Sequence, residues 1–172
     1  MTRIRTEQLG LTMMERRNES RHETAFTISI EAREGVTTGI SAADRALTIK
    51  TAIDPNCGER DITTPGHIFP LIARDGGTLV RAGHTEAVVD IARACGSDHP
   101  SGVICEIMKD DGEMARLPDL IGFAKEHDLK IASIADLIAW RRRNESLVQR
   151  TVESAITTRI GGDWRMVIYA NT

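Results

Sequence analysis

TAFTISIE, residues 24–31, is followed closely by SAADRALTIKTAI, residues 41–53, and these two segments decide the fold class. The first alternates apolar and polar residues, with Phe26, Ile28 and Ile30 on one face, which is typical of a half-buried strand. The second repeats apolar residues at helical spacing behind a serine that suits an N-cap. A strand followed at once by a helix predicts helices packed on a sheet.

The same interleaving of helices and strands continues along the chain. Prolines and a glycine around His67 predict a tight loop, and the glycine pair before residue 78 predicts a turn into a short strand. GVICEIM, residues 102–108, is predicted to be a buried strand that carries Glu106. The remaining predicted elements are a helix over 84–95, helices beginning near Pro118 and Asp136, and a strand over 129–134. Together they predict a mixed sheet with helices packed on it.

The character of the sequence changes at its C-terminal end. Residues 141–144 are predicted to be a linker, and GGDWRMVIY, residues 161–169, predicts a hairpin turn into a single strand. A single strand needs another sheet to pair with. The sequence therefore predicts one domain over residues 1–146 and the beginning of a second domain over 147–172.

Composition excludes several classes of protein. The chain has 172 residues, 41% of them apolar, and a net charge of −3, which argues against a nucleic-acid partner. Three cysteines without C-x-x-C spacing argue against a disulfide framework or a zinc site and are consistent with a reducing cytoplasm. No apolar run reaches transmembrane length, so no membrane partner is expected.

Five polar residues are candidates for chemistry. His67 lies in the predicted loop, Glu106 in the predicted strand, and His84 beside the start of a helix for which Thr85 is the predicted N-cap. Each has an ordinary explanation when taken alone, as an exposed, capping or solvated side chain. Together with Arg81 they favour a helix N-terminus that binds a phosphate, beside a histidine and a carboxylate able to transfer protons. The residues alone therefore predict acid–base chemistry on a small phosphorylated molecule.

Five motifs occur in an order and at a spacing that resemble a known family. They are TTGISAADR, PGHIFPL, RAGHTEAVVD, GVICEIM and DDGEMARLPDL, and the similarity runs from about residue 9 to residue 142. They resemble 3,4-dihydroxy-2-butanone 4-phosphate synthase, a lyase of riboflavin biosynthesis. The resemblance implies a homodimer and an α+β fold, a three-layer α/β/α sandwich around a mixed, twisted sheet. It also implies conversion of D-ribulose 5-phosphate to L-3,4-dihydroxy-2-butanone 4-phosphate and formate.

The resemblance also implies roles for individual residues. His67 and Glu106 correspond to the acid–base pair of the family, and His84 to its ligand for Mg²⁺ or Mn²⁺. The residues implied to bind the substrate are Thr38, Arg81, Ala82, Gly83, His84, Thr85 and Glu106. In the family the active sites are shared between subunits, so His67 and Thr38 are expected to reach into the partner's site.

Two departures from the family pattern lead to further expectations. The family carries an acidic loop that supplies a second metal ligand, and residues 1–172 contain no counterpart of it. We therefore expect an N-terminally truncated domain with impaired activity; the alternative is a non-catalytic dimerisation or phosphate-binding remnant. The segment from Val148 resembles the start of a GTP cyclohydrolase II domain but lacks the cysteines that such a domain uses for zinc.

Overall fold

Helices and strands are interleaved, and the α+β class is confirmed. The computed structural model describes residues 1–15, 17, 24–146 and 148–171. The chain divides into two compact units, Met1–Ile134 and Ala135–Thr172. Two short 3₁₀ turns, Glu59–Asp61 and Gly77–Leu79, accompany nine helices and strands in the described residues. These are α1 (Arg3–Gln8), β1 (Ile30–Ala32), α2 (Ala42–Ile53), β2 (Ile62–Ile68), α3 (His84–Ala94), α4 (Leu117–Glu126), α5 (Ile134–Asn144), β3 (Val148–Thr158) and β4 (Gly162–Asn171).

Strands β1 and β2 form an antiparallel pair, so the tight loop predicted around His67 is wrong. Glu31 pairs with Thr63, Ile30 pairs with Ile68, and the register shifts between these two pairs. The extra residues of the bulge take up the proline and the glycine, which would otherwise interrupt a regular strand. A Cβ at Gly66 would lie 2.0 Å from the carbonyl oxygen of Ile30, so the two backbones approach closely here.

The core of the first unit lies between α1, β1, α2 and the start of β2. Its fully buried apolar side chains are Leu9, Ile30, Ala52 and Ile62. Helix α1 was not predicted, because its sequence is charged and carries no apolar stripe. It forms with Thr2 as N-cap, and its Arg5 side chain lies inward.

Arg5 connects α1 to the C-terminal end of α2. Its guanidinium donates to the carbonyl oxygens of Ala52 at 2.8 Å, Asp54 at 2.7 Å and Cys57 at 2.9 Å. The last carbonyls of a helix have no partner within it, so a buried guanidinium with several donors satisfies them well. The residue is only 5% exposed, and its hydrogen bond to Ala52 is fully buried, whereas those to Asp54 and Cys57 are partly buried.

The strands predicted over 102–108 and 129–134 are wrong. Residues 102–106 are exposed, and the one bridge near them, between Met108 and Met114, is isolated. An apolar run shows that a segment can be buried, but a strand also needs a neighbour with which to form hydrogen bonds.

The short strand predicted after Gly77 is a 3₁₀ turn instead, because the buried Asp90 carboxylate accepts from the backbone N–H and the hydroxyl of Thr78. In place of one mixed sheet, the described strands form two separate two-stranded antiparallel sheets.

The second unit consists of a helix and a hairpin. Residues 141–144 belong to α5, so the predicted linker is wrong. Strands β3 and β4 pair along their length, beginning with Thr158 and Gly162 beside the turn. The single strand predicted in residues 161–169 therefore has a partner in this chain. Strand β3 was missed because a register shift between Arg150 and Val152 interrupts the alternation of its side chains. No helix in the described part of the chain is long and apolar enough to cross a membrane.

Candidate active site

A cavity of about 570 Å³ in the first unit contains three of the residues predicted for chemistry. We call it the His67 pocket; its walls are residues 67–71, helix α2, the first turns of α3 and the segment 101–106. His67, Thr85 and Glu106 all line it, although 39 positions separate the first from the last in the chain. The other predicted residues, Thr38, Arg81, Ala82, Gly83 and His84, do not line this pocket.

The imidazole of His67 is held by a carboxylate. Its Nδ1 atom lies 2.6 Å from Oε2 of Glu31, and the two side chains are 42% and 10% exposed. An ionised carboxylate can only accept hydrogen bonds, so an ionised Glu31 favours the neutral tautomer in which Nδ1 donates and Nε2 is the acceptor. This arrangement prepares His67 to take a proton through Nε2.

Glu31 falls at a polar position of the alternation in residues 24–31, yet it is buried. The residue is 7% exposed, and its Oε1 accepts a hydrogen bond of 3.0 Å from the hydroxyl of Thr48 on α2. The Thr48 hydroxyl in turn accepts from the backbone N–H of Ala32 at 3.0 Å. No spacing in the sequence indicates this contact, because Glu31 and His67 meet only when β1 and β2 pair.

The turn at residues 37–39 is organised by Asp44, in the first turn of α2. The Asp44 carboxylate accepts from the Thr37 hydroxyl at 2.8 Å and from the backbone N–H of Gly39 at 3.1 Å. The hydrogen bond from the Thr37 hydroxyl is the main reason why the pKa of Asp44 is lowered. Ser41 caps α2 by accepting from the Asp44 N–H, as the sequence predicted. Thr38 lies exposed between the two residues that Asp44 holds.

Gly39 packs this turn directly against the Glu31–His67 pair. A Cβ at position 39 would lie 2.0 Å from Oε2 of Glu31 and 2.6 Å from Nδ1 of His67. The backbone at Gly39 also has a φ of +78°, a conformation that favours glycine. Only glycine therefore lets the turn, β1 and β2 meet at this point.

Arg81, which was predicted to bind phosphate, forms an ion pair inside the chain. Its Nη1 atom lies 2.6 Å from Oε2 of Glu86, a residue that is 1% exposed. Oε1 of Glu86 accepts from the backbone N–H of Arg74 at 2.9 Å. The pair fixes the position of the guanidinium next to the first turn of α3.

The start of α3 differs in detail from the sequence prediction. Its N-cap is Gly83, without a side-chain hydrogen bond, so the prediction of Thr85 as N-cap is wrong. Thr85 lies within the first turn, 6% exposed, and lines the His67 pocket. Glycine occupies the cap because a Cβ there would lie 2.1 Å from Nη1 of Arg81. His84 is exposed at the first helical position.

The described residues do not assemble a metal site by themselves. No group of three or more histidine, cysteine, aspartate or glutamate side chains in residues 1–15, 17, 24–146 and 148–171 could hold a metal ion. Mg²⁺ requires several oxygen ligands, which the His84 imidazole alone does not supply. His84 therefore stays a predicted metal ligand.

The family model for 3,4-dihydroxy-2-butanone 4-phosphate synthase matches residues 1–140. The chain belongs to this family. A 3,4-dihydroxy-2-butanone 4-phosphate synthase of Pseudomonas aeruginosa is 58% identical over 94% of the chain and 44% of its own length. Riboflavin biosynthesis protein RibBA of Aquifex aeolicus is 56% identical over 92% of the chain and 39% of its own length. The chain thus spans less than half the length of these curated relatives.

Solved structures of synthases in this family have the same fold. RibBX of A. baumannii, a two-domain synthase, superposes with a TM-score of 0.85 at 47% identity, over 99% of this chain and 50% of its own. A second synthase, solved in complex with two magnesium ions, superposes with a TM-score of 0.76 at 34% identity, over 84% of this chain and 72% of its own. A member of this family thus binds a divalent metal.

Proposed function

We propose that the chain acts in riboflavin biosynthesis as a lyase, converting D-ribulose 5-phosphate to L-3,4-dihydroxy-2-butanone 4-phosphate and formate. Membership of the synthase family and its similarity to named synthases support this reaction. The observation that carries the proposal is the His67 imidazole, whose Nδ1 lies against the Glu31 carboxylate so that Nε2 is left for a substrate.

Enolisation of the sugar is the step to which His67 is best suited. The reaction requires removal of a proton from a carbon beside a carbonyl group, and then return of protons as water is lost and the skeleton rearranges. In our proposal Nε2 of His67, reaching into the partner's site, accepts the first proton, since Nδ1 is already engaged by Glu31. Glu106, on the segment 101–106, exchanges the second proton.

The phosphate is proposed to bind at the start of α3. Thr85 offers a hydroxyl, the backbone at Ala82 and Gly83 leads into the helix, and the helix N-terminus favours an anion. Arg81, held beside the helix start by its ion pair with Glu86, is proposed to donate to the phosphate as well. Thr38, exposed on its turn, is proposed to contact a phosphate in a homodimer with shared active sites.

A divalent metal is proposed to complete the site. Mg²⁺ or Mn²⁺ held in part by His84 would supply Lewis-acid stabilisation of the sugar oxygens. The family's acidic loop, with its second ligand, has no counterpart in residues 1–172. We therefore propose that these residues alone turn the substrate over slowly. We further propose that the protein is cytoplasmic and that residues 147–172 begin a GTP cyclohydrolase II-like domain.

Formate release from ribulose 5-phosphate, measured with a formate dehydrogenase assay, tests the proposal. The assay is run with Mg²⁺ on residues 1–172 and on the same chain extended by the family's acidic loop. We expect a slow rate from the first and a faster one from the second. Glu106→Gln and His67→Asn should each abolish formate release, whereas Asp110→Asn, an exposed carboxylate outside the pocket, should leave it unchanged.

The alternative of a non-catalytic remnant gives a different result in the same experiment. Absence of formate from both forms, with ribulose 5-phosphate still bound in a calorimetric titration, would overturn the lyase and favour a phosphate-binding remnant. Absence of both formate and binding would favour a dimerisation remnant.

A further inference from the structure

We propose that Glu31 is a positioning residue that fixes the tautomer and the orientation of the His67 ring. The inference rests on the proposed function only in that it takes His67 as the residue that moves a proton. The bond between Nδ1 and Oε2 is 2.6 Å long, which is the range of strong, charge-assisted hydrogen bonds. Glu31 is largely buried, so water competes only weakly with His67 for the Glu31 carboxylate.

Glu31 is itself held from two sides. Thr48, which is fully buried, donates to Oε1, and the Thr48 oxygen accepts from the backbone N–H of Ala32. On the other side Gly39 lies so close to Oε2 that there is no room for a side chain. The carboxylate therefore keeps one orientation, with Oε1 toward Thr48 and Oε2 toward His67.

The strand that carries His67 is also fixed. Arg45 on α2 donates through Nη1 to the carbonyl oxygen of His67 at 3.1 Å and through Nε to that of Ile40 at 3.0 Å. The backbone of His67 and the turn before α2 are thus attached to one side chain. Because the backbone of His67 is fixed in this way, Glu31 needs to set only the rotation of the imidazole ring.

The proton balance of the step is simple. Neutral His67 holds its proton on Nδ1, and Nε2 forms a bond to the proton that leaves the substrate carbon, whose electron pair becomes the enediolate. The ring is then an imidazolium, and the adjacent Glu31 carboxylate stabilises its charge without taking the proton. Nε2 returns the proton later, and both side chains regain their starting forms.

Glu31→Gln gives a specific prediction because Thr48 decides which way the amide turns. The Thr48 hydroxyl already accepts from Ala32, so its own proton requires an acceptor, and the amide oxygen is expected to face Thr48. The amide NH₂ then faces His67 and donates to Nδ1. His67 must change to the Nε2–H tautomer, in which it cannot accept a proton through Nε2.

Two measurements test the inference. The first is the ¹⁵N chemical shifts of the His67 ring at alkaline pH, which report the tautomer of a neutral imidazole directly. We expect the Nδ1–H tautomer in the unmodified chain and the Nε2–H tautomer in Glu31→Gln. The matched control is Glu34→Gln, an exposed carboxylate near the end of the same strand, which should keep the Nδ1–H tautomer.

The second measurement is the rate of formate release. It is made with whichever form is active, residues 1–172 or the chain extended by the acidic loop. We expect kcat of Glu31→Gln to fall by roughly 10⁴-fold, as in a Ser-His-Asp triad whose histidine is left in the wrong tautomer, with KM almost unchanged. An unmodified chain with the Nε2–H tautomer, or a Glu31→Gln variant with normal kcat, would overturn the positioning role. Because the tautomer is measured without substrate, it tests Glu31 even if the lyase reaction itself is disproved.

Discussion

Arg81 donates to Glu86 across 2.6 Å directly over Gly83, the residue that begins helix α3. A Cβ at position 83 would lie 2.1 Å from Nη1 of Arg81 and 2.7 Å from Oε2 of Glu86. The helix start, the buried carboxylate and the guanidinium can therefore occupy these positions together only if residue 83 is glycine.

Gly83→Ala should accordingly destabilise the first unit. We expect the free energy of unfolding in urea to fall by about 1–3 kcal/mol, as for other overpacked sites. Gly122→Ala is the control, because a Cβ there meets no atom within 4 Å and alanine favours a helix. Equal stability of the two variants would show that the Arg81–Glu86 pair adjusts without cost.

Asp44→Asn should remove part of the acid sensitivity of the fold. Hydrogen bonding by Thr37 lowers the pKa of Asp44 below its usual value of 3.8. The ionised Asp44 carboxylate therefore stabilises the fold fully above pH 3.8. This stabilisation is lost as the pH falls through the lower pKa that Asp44 has in the folded chain. Urea unfolding between about pH 7 and about pH 3 should show the unmodified chain more stable than the variant at neutral pH, with the difference shrinking in acid. A difference that grows in acid would contradict the lowered pKa.

Arg5→Lys should weaken the C-terminal end of α2. A single ammonium group cannot reach the three carbonyls that the guanidinium of Arg5 contacts, so at least one buried acceptor loses its partner. We expect a loss of about 1–3 kcal/mol in unfolding free energy. Arg3→Lys, on the exposed side of α1 and 3.7 Å from Asp75, should change stability by less than about 0.5 kcal/mol.

The three free cysteines should react with iodoacetamide at different rates. Burial, together with Asp54 and Asp61, raises the pKa of the Cys57 thiol, whereas Cys95 and Cys105 are exposed. Cys57 should therefore be alkylated last at neutral pH. Cys105 lines the His67 pocket, so ribulose 5-phosphate should slow its alkylation and leave that of Cys95 unchanged. Mass spectrometry of the labelled peptides measures all three rates, and equal protection of Cys95 would place the ligand elsewhere.

The sequence predicted the residues of the pocket better than the contacts that hold them. His67, Thr85 and Glu106 stand in motifs that could be read directly, and the helical spacing behind Ser41 and after Gly83 located α2 and α3. Fold class followed from the same alternation of elements. In each case the signal lies within a few neighbouring residues.

The supporting contacts were missed because they join distant parts of the chain. Glu31 meets His67 36 positions away, and Arg5 reaches Ala52 47 positions away. A charged residue in a strand or a helix is normally assigned to the surface, and nothing local distinguishes these two buried examples. Segment 102–106 shows the opposite error, since its apolar residues suggested burial and the structure leaves them exposed.

Three contacts of helix α2 matter for the candidate site: two hold the site and one holds the end of the helix. Asp44 fixes the turn at 37–39, Thr48 fixes Glu31, and Arg5 fixes the last carbonyls of the helix. Opening of α2 would release the turn and the Glu31–His67 pair in one event. The slowly exchanging amides of α2 should therefore exchange through the same opening event as the amides of Gly39 and Ala32. Native-state hydrogen exchange should then show the site as one cooperative opening unit.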